Sequence, residues 1–320
     1  MPMKKNDLEI LCEKIKSAKR ILIAGHKNPD GDALCSGLAL AQLIRLNFGR
    51  DAVCVYEGNV SNMLDNVPMR NQMHFHGHVD LSDAFDLVFV LDYGAKKNLE
   101  WIMPVVNGAK FVVAIDHHKN PDDVGDMNFN NDSAAATAQI IFDIAKKLKW
   151  ARDADVNNLI AVAILTDTGF FKYARRGDVL RVMAQLVDDG VNIEYLSNLL
   201  NNMSRKTILT ESAVASRAEF FFNGRLALAT VDSRDYKRLD GRGETVLSLL
   251  GQIKGVEYIV LLKQQKEKQT GVSIRSRSKP INEIAVAFGG GGHAYAAGAV
   301  VNDTLENVRA QVLEIFRGIK

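Results

Sequence analysis

Short apolar runs alternate with longer amphipathic segments along the first half of the chain. Runs of consecutive apolar residues with polar or glycine borders predict buried strands, here at Ile21–Ala24, Ala52–Tyr56, Leu87–Leu91 and Phe111–Ile115. Apolar residues that recur at helical spacing predict helices over residues 8–19, Ala33–Leu46 and about Ser133–Leu148. This order of elements is typical of an α/β domain, in which helices flank a mostly parallel sheet on both faces.

The pattern changes near residue 190. Apolar residues between Ile193 and Met203 recur at helical spacing and predict a connecting helix. Beyond it the sequence predicts three strands and a helix, at Arg225–Val231, Val256–Leu262, Gly271–Arg277 and Ile281–Phe288, with a polar turn at Lys263–Gln269. A chain of 320 residues also exceeds one typical core. We therefore expect a first α/β domain over residues 1–190, a helical connector over 191–218 and a smaller α/β domain over 219–320.

Composition and charge narrow the class of protein. Apolar residues make up 47% and charged residues 24% of the chain, which is typical of a soluble globular protein. The net charge of +2 gives no overall field that attracts long duplex nucleic acid, so an anionic substrate should be small. The polar start does not resemble a secretory signal, and no apolar run reaches membrane-spanning length. Three cysteines without zinc spacing do not suggest a disulfide framework, so we expect a cytoplasmic protein that binds no membrane.

Acidic and imidazole side chains follow the apolar runs. They are His26, Asp30 and Asp32 after the first run, Asp92 after Leu91, Asp116, His117 and His118 after Ile115, and Asp167 after the run Ile160–Leu165. Because ligands bind beyond the carboxyl ends of parallel strands, these side chains are expected at one location. Taken singly, each could be a helix cap or a turn residue, and Thr166–Gly169 could simply end one helix and cap the next. Their joint order favours a functional site.

The residue types predict a metal centre. Carboxylates and imidazoles without thiolates suit manganese, iron, zinc or magnesium, and several aspartates favour Mn²⁺, with Mg²⁺ or Co²⁺ as alternatives. The side chains are too many for one catalytic ion that keeps a position for water. They suffice for two ions about 3.5–4 Å apart, as in known hydrolytic sites. A phosphoester is the natural substrate, because its transition state needs negative charge neutralised.

These motifs resemble those of the DHH phosphoesterase superfamily. The four ordered motifs are His26–Asp32, the isolated Asp92, Asp116–His118 and Thr166–Gly169, and the resemblance spans nearly the whole chain. It is strongest to bacterial phosphodiesterases that degrade nanoRNA and also remove the 3′-phosphate of adenosine 3′,5′-bisphosphate. The resemblance implies hydrolysis of such short oligoribonucleotides, of linear dinucleotides such as pApA, or of the bisphosphate. It also allows a homodimer.

The resemblance further implies a role for each residue of the metal centre. One ion would be held by His26, Asp30 and Asp92, and the other by Asp32, Asp92, His117 and Asp167, so that Asp92 bridges the pair. His118 would contact the scissile phosphate or protonate the leaving oxygen. Asp116 would orient the site without contacting an ion.

Residues near the C-terminus resemble the accessory domain of the same superfamily. The segment Val272–Ser276 and the glycine run that precedes His293 carry this likeness. It implies that Arg275 and His293 bind the terminal phosphate or base of the substrate, across a cleft from the metals. The glycines, including Gly291 and Gly292, allow the backbone to approach a ligand closely. Arg277, two residues from Arg275 on a predicted strand, would point to the same face.

Other functions remain as alternatives. An inorganic pyrophosphatase or exopolyphosphatase uses similar metal motifs, although the nucleotide-type C-terminal segment disfavours it. A catalytically silent nucleotide-binding module is disfavoured by the complete ligand set. The glycine run lacks the Lys-Ser/Thr ending of a P-loop. The histidines of the segment His74–His78 would share a face if extended, but no carboxylate cluster accompanies them, so we expect an exposed loop.

Overall fold

The computed structural model describes residues 4–119, 121–174, 176–239, 243–293 and 295–319, without the side chains of Asn62, Asn282 and His293. The chain divides into two compact units, Met1–Asn202 and Met203–Lys320. This division falls within residues 191–218, the segment expected as a connector. No helix in the described ranges is both long and apolar enough to cross a bilayer.

The first unit is an α/β layer structure. Its helices are α1 (Lys5–Ser17), α2 (Gly31–Phe48), α3 (Met103–Gly108), α4 (Thr137–Leu148), α5 (Ala154–Asp167), α6 (Gly177–Asp188) and α7 (Ile193–Leu200). Its strands are β1 (Ile21–Gly25), β2 (Ala52–Tyr56), β3 (Met73–Phe75), β4 (Leu87–Leu91), β5 (Val112–Asp116) and β6 (Met127–Asn130). They form a six-stranded sheet in the order β3-β2-β1-β4-β5-β6, with every neighbouring pair parallel. The predicted α/β fold with a parallel sheet is confirmed.

Side-chain alternation along the strands gives this sheet two apolar faces. Ile21 and Ile23 of β1 belong to one core, which also contains the buried residues of α2, α4 and α5. Leu22 and Ala24 of the same strand belong to a second core with Ile102 and the residues around α3. Successive residues of a strand point to opposite faces, so a strand covered on both sides reads as a continuous apolar run. This explains why β1, β4 and β5 are recognisable from the sequence.

The second unit contains a mixed sheet. Its helices are α8 (Arg205–Ser216), α9 (Ser233–Arg238), α10 (Glu244–Leu250), α11 (Asn282–Ala287) and α12 (Leu305–Arg317). Its strands are β7 (Glu219–Phe221), β8 (Leu226–Val231), β9 (Tyr258–Lys266), β10 (Gln269–Ser276), β11 (Gly291–His293) and β12 (Ala296–Val301). The order is β11-β12-β10-β9-β8-β7, and the β8–β9 pair is parallel while the other pairs are antiparallel.

Three local predictions are corrected by the structure. The run Ile160–Leu165, which resembles the strand-forming runs before the other candidate ligands, lies inside helix α5 and is not a strand, because this part of the helix is buried on all sides and is therefore apolar all round. His74 lies in the edge strand β3, paired with Val55, and only the residues after Phe75 leave the sheet. The polar segment Lys263–Gln269 is mostly strand, since β9 continues to Lys266 and β10 begins at Gln269.

Candidate metal centre

The predicted ligands lie at the carboxyl edge of the parallel sheet. His26 follows β1, Asp30 and Asp32 lie at the start of α2, Asp92 follows β4, Asp116 ends β5 and precedes His117 and His118, and Asp167 ends α5. The strands β1, β4 and β5 are neighbours, so their carboxyl ends open at the same place. Ligand sites of open α/β sheets lie at this edge.

Asp92 lies between two imidazoles. Its Oδ1 atom is 3.4 Å from Nε2 of His117, and its Oδ2 atom is 4.0 Å from Nε2 of His26. The backbone of Asp92 has a φ of 51°, in the left-handed region that non-glycine residues seldom adopt. Its amide donates to the carbonyl of Ile115, which holds the strained residue against β5. The two carboxylate oxygens therefore face two different sides of the centre.

Three groups of side chains are close enough to hold a metal ion. In each group one ligand atom from every residue lies within 4.8 Å of the others. The groups are His26, Asp30 and Asp92; Asp32, His117 and Asp167; and Asp92, His117 and His118. His74, His76 and His78 enter none of the groups found among the described residues.

The imidazole rings are turned so that Nε2 faces the carboxylates. Nδ1 of His26 lies 2.9 Å from the carbonyl oxygen of Lys27, and Nε2 lies 3.7 Å from Oδ1 of Asp30. Nε2 of His117 is 3.5 Å from Oδ2 of Asp167 and 3.8 Å from Oδ2 of Asp32. A second-nitrogen contact that fixes the ring is usual for metal-binding histidines.

Asp32, Asp92 and Asp167 lie close together around His117, and their side chains have little exposure to water. Burial, together with the charge of Asp92, raises the pKa of Asp32 from 3.8 to about 7. Burial and neighbouring carboxylates also raise the pKa of Asp167 well above its usual value, against the opposing effect of His117. For His26 burial lowers the pKa, but contact with Asp30 and the charge of Asp92 outweigh it and raise the pKa to about 10. Divalent cations would relieve this accumulation of negative charge, so the donor set fits bound metal ions.

The carboxylate of Asp116 holds the imidazole of His118 in one orientation. Oδ1 of Asp116 lies 2.7 Å from Nδ1 of His118 and also accepts its backbone N–H at 2.8 Å. Oδ2 accepts the amides of Tyr93 and Gly94 at 2.9 and 2.7 Å. The carboxyl group is fully buried, and although burial opposes ionisation, the contacts with His118 lower its pKa. Asp116 is therefore an ionised carboxylate that fixes one imidazole.

Close packing brings Asp167 to the sheet from a helix. A Cβ atom on Gly31 would lie 2.2 Å from Oγ1 and 2.7 Å from Cβ of Thr166. The end of α5 thus touches the start of α2, which carries Asp32. Glycine is required at this contact, because any side chain on residue 31 would push α5 and its terminal Asp167 away.

The predicted residues of the second unit lie on one end of its sheet. Arg275 of β10 pairs with Ala296 of β12, which pairs with His293 of β11, so Arg275 and His293 occupy one row across three strands. Gly291 and Gly292 precede His293 in β11. The side chain of His293 is outside the described residues.

Arg275 and Arg277 have different surroundings. The guanidinium of Arg275 forms an ion pair with Glu244 at 3.0 Å and donates to the carbonyl of Ile274. Arg277 lies just beyond the end of β10 and is exposed, and its amide donates to the carbonyl of Glu257. Arg275 is thus held in one direction, whereas the sheet does not fix the side chain of Arg277.

Sequence reasoning missed residues that donate hydrogen bonds to the predicted ligands. Thr137, at the start of α4, donates its amide to Asp32 and its hydroxyl to Asp92, and the Ser36 hydroxyl donates to Asp32. The sequence around Thr137 does not indicate this role, because Asp32 and Asp92 are remote from it along the chain. The predicted helix start near Ser133 follows the usual preference for a serine cap. The helix begins later, since Asp32 accepts its first amides.

Comparison with known proteins identifies similar chains. The model of the DHH family, N-terminal domain, matches residues 20–166, and the DHHA1 domain matches residues 235–318. A Thermus thermophilus protein named bifunctional oligoribonuclease and PAP phosphatase NrnA is 30% identical over 314 residues, which cover 97% of this chain and 93% of the relative. A Streptococcus mutans protein named probable bifunctional oligoribonuclease and PAP phosphatase NrnA is 28% identical over 300 residues, 93% of this chain and 94% of the relative.

A solved structure shares the fold along nearly the whole chain. The exopolyphosphatase-related protein of Bacteroides fragilis superposes with a TM-score of 0.89 at 20% sequence identity. The superposition covers 98% of this chain and 97% of the other. It shows that both units occur together in another protein.

Proposed function

The chain belongs to the DHH family, and we propose that it is a two-metal phosphoesterase acting on very short oligoribonucleotides and on adenosine 3′,5′-bisphosphate. Linear dinucleotides such as pApA fall within the first class. The observation that carries this proposal is the position of Asp92, whose two oxygens face the imidazoles of His26 and His117. A carboxylate with one oxygen directed to each of two ligand groups is suited to bridge two cations.

We assign the ligands in two sets that share Asp92. His26, Asp30 and Asp92 would hold one ion, and Asp32, Asp92, His117 and Asp167 the other. Oxygen and imidazole donors without sulfur favour Mn²⁺, with Mg²⁺ or Co²⁺ as alternatives. When bound, such a pair neutralises charge on the phosphoryl group and lowers the pKa of water.

His118 would donate a proton to the leaving oxygen of the substrate. Its Nδ1 is directed at Asp116, so we assign Nε2 to the substrate. The ionised Asp116 stabilises the protonated imidazole and holds the ring in one orientation. Contact with Asp116 and the charge of Asp92 raise the pKa of His118, although burial opposes this. The imidazole can therefore hold a proton near neutral pH and give it to the leaving oxygen.

Arg275 would bind the part of the substrate that does not react. A guanidinium offers paired N–H donors that match a phosphate, and this one is already oriented by Glu244 and Ile274. The row formed by Arg275, Ala296 and His293 places a cationic side chain and the glycine-containing strand β11 at the same end of the sheet, with β12 between them. Gly291 and Gly292 leave the backbone of β11 open to a base or phosphate, and Arg277 adds positive charge nearby.

A substrate panel tests the proposed function. The protein, freed of metal with EDTA, would be supplied with Mn²⁺ and given linear di-adenylate, adenosine 3′,5′-bisphosphate, a longer RNA and pyrophosphate. We expect hydrolysis of the first two, and slow or no hydrolysis of the others. Parallel assays with Mg²⁺ and Co²⁺ would rank the ions.

Two results would replace this function with another. Faster hydrolysis of pyrophosphate than of di-adenylate would indicate a pyrophosphatase or exopolyphosphatase. Tight binding of di-adenylate without turnover, with every ion tested, would indicate a silent nucleotide-binding module.

A further inference from the structure

Thr137 connects two of the proposed metal-binding carboxylates. Its backbone N–H donates to Oδ2 of Asp32 at 2.6 Å, and its hydroxyl donates to Oδ1 of Asp92 at 3.1 Å. The side chain of Thr137 is fully buried, and both carboxylates are about 1% exposed. Water therefore has little access to these bonds, and one residue sets where both carboxylates lie relative to each other.

Asp32 in turn caps the helix that carries Thr137. Helix α4 begins after Ala136, which offers no side-chain cap, so its first amides need another acceptor. Asp32 accepts the amide of Ala138 at Oδ1 as well as that of Thr137 at Oδ2. A carboxylate at a helix N-terminus is also favoured by the helix dipole. Asp32 cannot turn without leaving these amides unpaired, so α4 holds it in place.

These bonds also determine which oxygen of Asp32 can bind an ion. Oδ1 accepts from the Ser36 hydroxyl at 2.8 Å and from the Ala138 amide at 3.1 Å. A carboxylate oxygen accepts about two bonds, so these two donors use the capacity of Oδ1. Oδ2 has the Thr137 amide and lies 3.8 Å from Nε2 of His117. An ion beside His117 would therefore be bound by Asp32 through Oδ2 alone.

We infer that Thr137 is a positioning residue that fixes the spacing of Asp32 and Asp92 and thereby sets the affinity of the centre for metal ions. This inference rests on the proposed function, because it takes both aspartates as ligands. Removing the hydroxyl would take one donor from Oδ1 of Asp92, and the longer contacts of this oxygen with His117 and His118, at 3.4 and 3.5 Å, would hold the carboxylate less firmly. Loss of a partner that orients a metal ligand typically costs about 10- to 100-fold in metal affinity.

Two substitutions separate the hydroxyl from the volume of the side chain. Thr137→Val keeps the volume and removes the oxygen, whereas Thr137→Ser keeps the oxygen and removes a methyl group. Mn²⁺ dissociation constants would be measured by calorimetric titration on the full chain without substrate. We expect Mn²⁺ binding by Thr137→Val to weaken about 10- to 100-fold, and binding by Thr137→Ser to stay within about threefold of the unaltered protein.

Thr270→Val serves as the matched control. Thr270 is equally buried, and its hydroxyl donates to the carbonyl of Asp303; both residues belong to the second unit, whereas the proposed ligands belong to the first. Its substitution should leave Mn²⁺ affinity unchanged. Circular dichroism would establish folding, and if Thr137→Val does not fold, Thr137→Ala takes its place with the same expected loss.

The outcomes distinguish this inference from the proposed function. Unchanged Mn²⁺ binding by a folded Thr137→Val would overturn the role of Thr137 and leave the two-metal function standing. Equal losses in the Val and Ser variants would assign the effect to packing of the methyl group, which also overturns it. No Mn²⁺ binding by the unaltered protein would overturn the proposed function itself, and the inference with it.

Discussion

The side chain of Thr166 occupies the space beside Gly31 that a Cβ atom would need, with Oγ1 only 2.2 Å from that position. This contact joins the end of α5 to the start of α2. We expect Gly31→Ala to lower the free energy of unfolding by about 1–3 kcal/mol, as overpacking of a dense interior does. It should also weaken Mn²⁺ binding, because Asp167 moves away from Asp32. Urea unfolding and a Mn²⁺ titration measure the two effects.

A double substitution checks the cause of this loss. Thr166→Ala removes Oγ1 and Cγ2, although its Cβ would remain 2.7 Å from the new methyl group. The double variant should therefore recover part of the stability lost by Gly31→Ala. Fully additive losses would mean that the contact does not explain the effect.

Asp92→Asn should remove most of the activity. The amide keeps the shape of the side chain but cannot carry the charge that a shared ligand needs. Because charge stabilisation by metal ions contributes several kcal/mol, kcat/KM should fall about a thousandfold or more. The control is Asp86→Asn, since Asp86 pairs with Lys110 and the amides of Lys19 and Arg20, away from the sheet edge that holds the proposed ligands. Near-normal turnover by Asp92→Asn would contradict the shared-ligand mechanism.

Arg275→Ala should mainly affect KM. In its proposed role the guanidinium would contact a part of the substrate that does not react, so its loss would weaken ground-state and transition-state binding alike. A charged hydrogen bond is worth about 1.5–3 kcal/mol, which corresponds to a rise in KM of about 10- to 100-fold. Arg309→Ala is the control, because Arg309 forms an ion pair with Glu219 in the same unit. A loss of kcat at constant KM would exclude the assigned role.

The stability of the metal-free protein should carry a pH dependence from Asp32. Burial and the charge of Asp92 raise its pKa from 3.8 to about 7, so the folded state keeps a proton that the unfolded chain releases. This contribution to stability is complete below pH 3.8 and is lost as the pH rises to about 7. Asp32→Asn lacks it, so in EDTA the variant should gain stability relative to the unaltered protein across that interval.

Urea unfolding at several pH values measures this difference. Added Mn²⁺ should reverse the order at neutral pH, since the ion stabilises the ionised Asp32 and the variant loses a ligand. A stability difference that does not vary with pH would show that Asp32 is already ionised in the metal-free protein.

The parallel sheet, and the position of most candidate metal-binding residues at its carboxyl edge, were predictable because they depend on local patterns. Strands β1, β4 and β5 are buried on both faces, so they appear as apolar runs, and chemistry-bearing residues follow each one. Asp167 was harder to place. Helix α5, which ends at Asp167, is apolar on every side. Its sequence therefore shows neither the helical period nor the alternation of a half-buried strand.

Contacts between remote segments were not predictable. Helix α4 begins at Thr137 and not near Ser133, because its capping group is Asp32, on another helix. Strand β3 was missed because it is three residues long and lies at the edge of the sheet. In both instances the stabilising partner is distant in the sequence, so the spacing of neighbouring residues does not indicate it.

Asp32 lies early in the first unit and Asp167 near its end, yet both belong to one group around His117. A chain emerging from the ribosome therefore lacks this group until α5 has been synthesised and has packed against α2. In the proposed two-metal site, the cation held by this group would therefore bind late in the maturation of the unit. A nascent fragment that ends before α5 would lack the contact between α2 and α5 that brings Asp32 and Asp167 together.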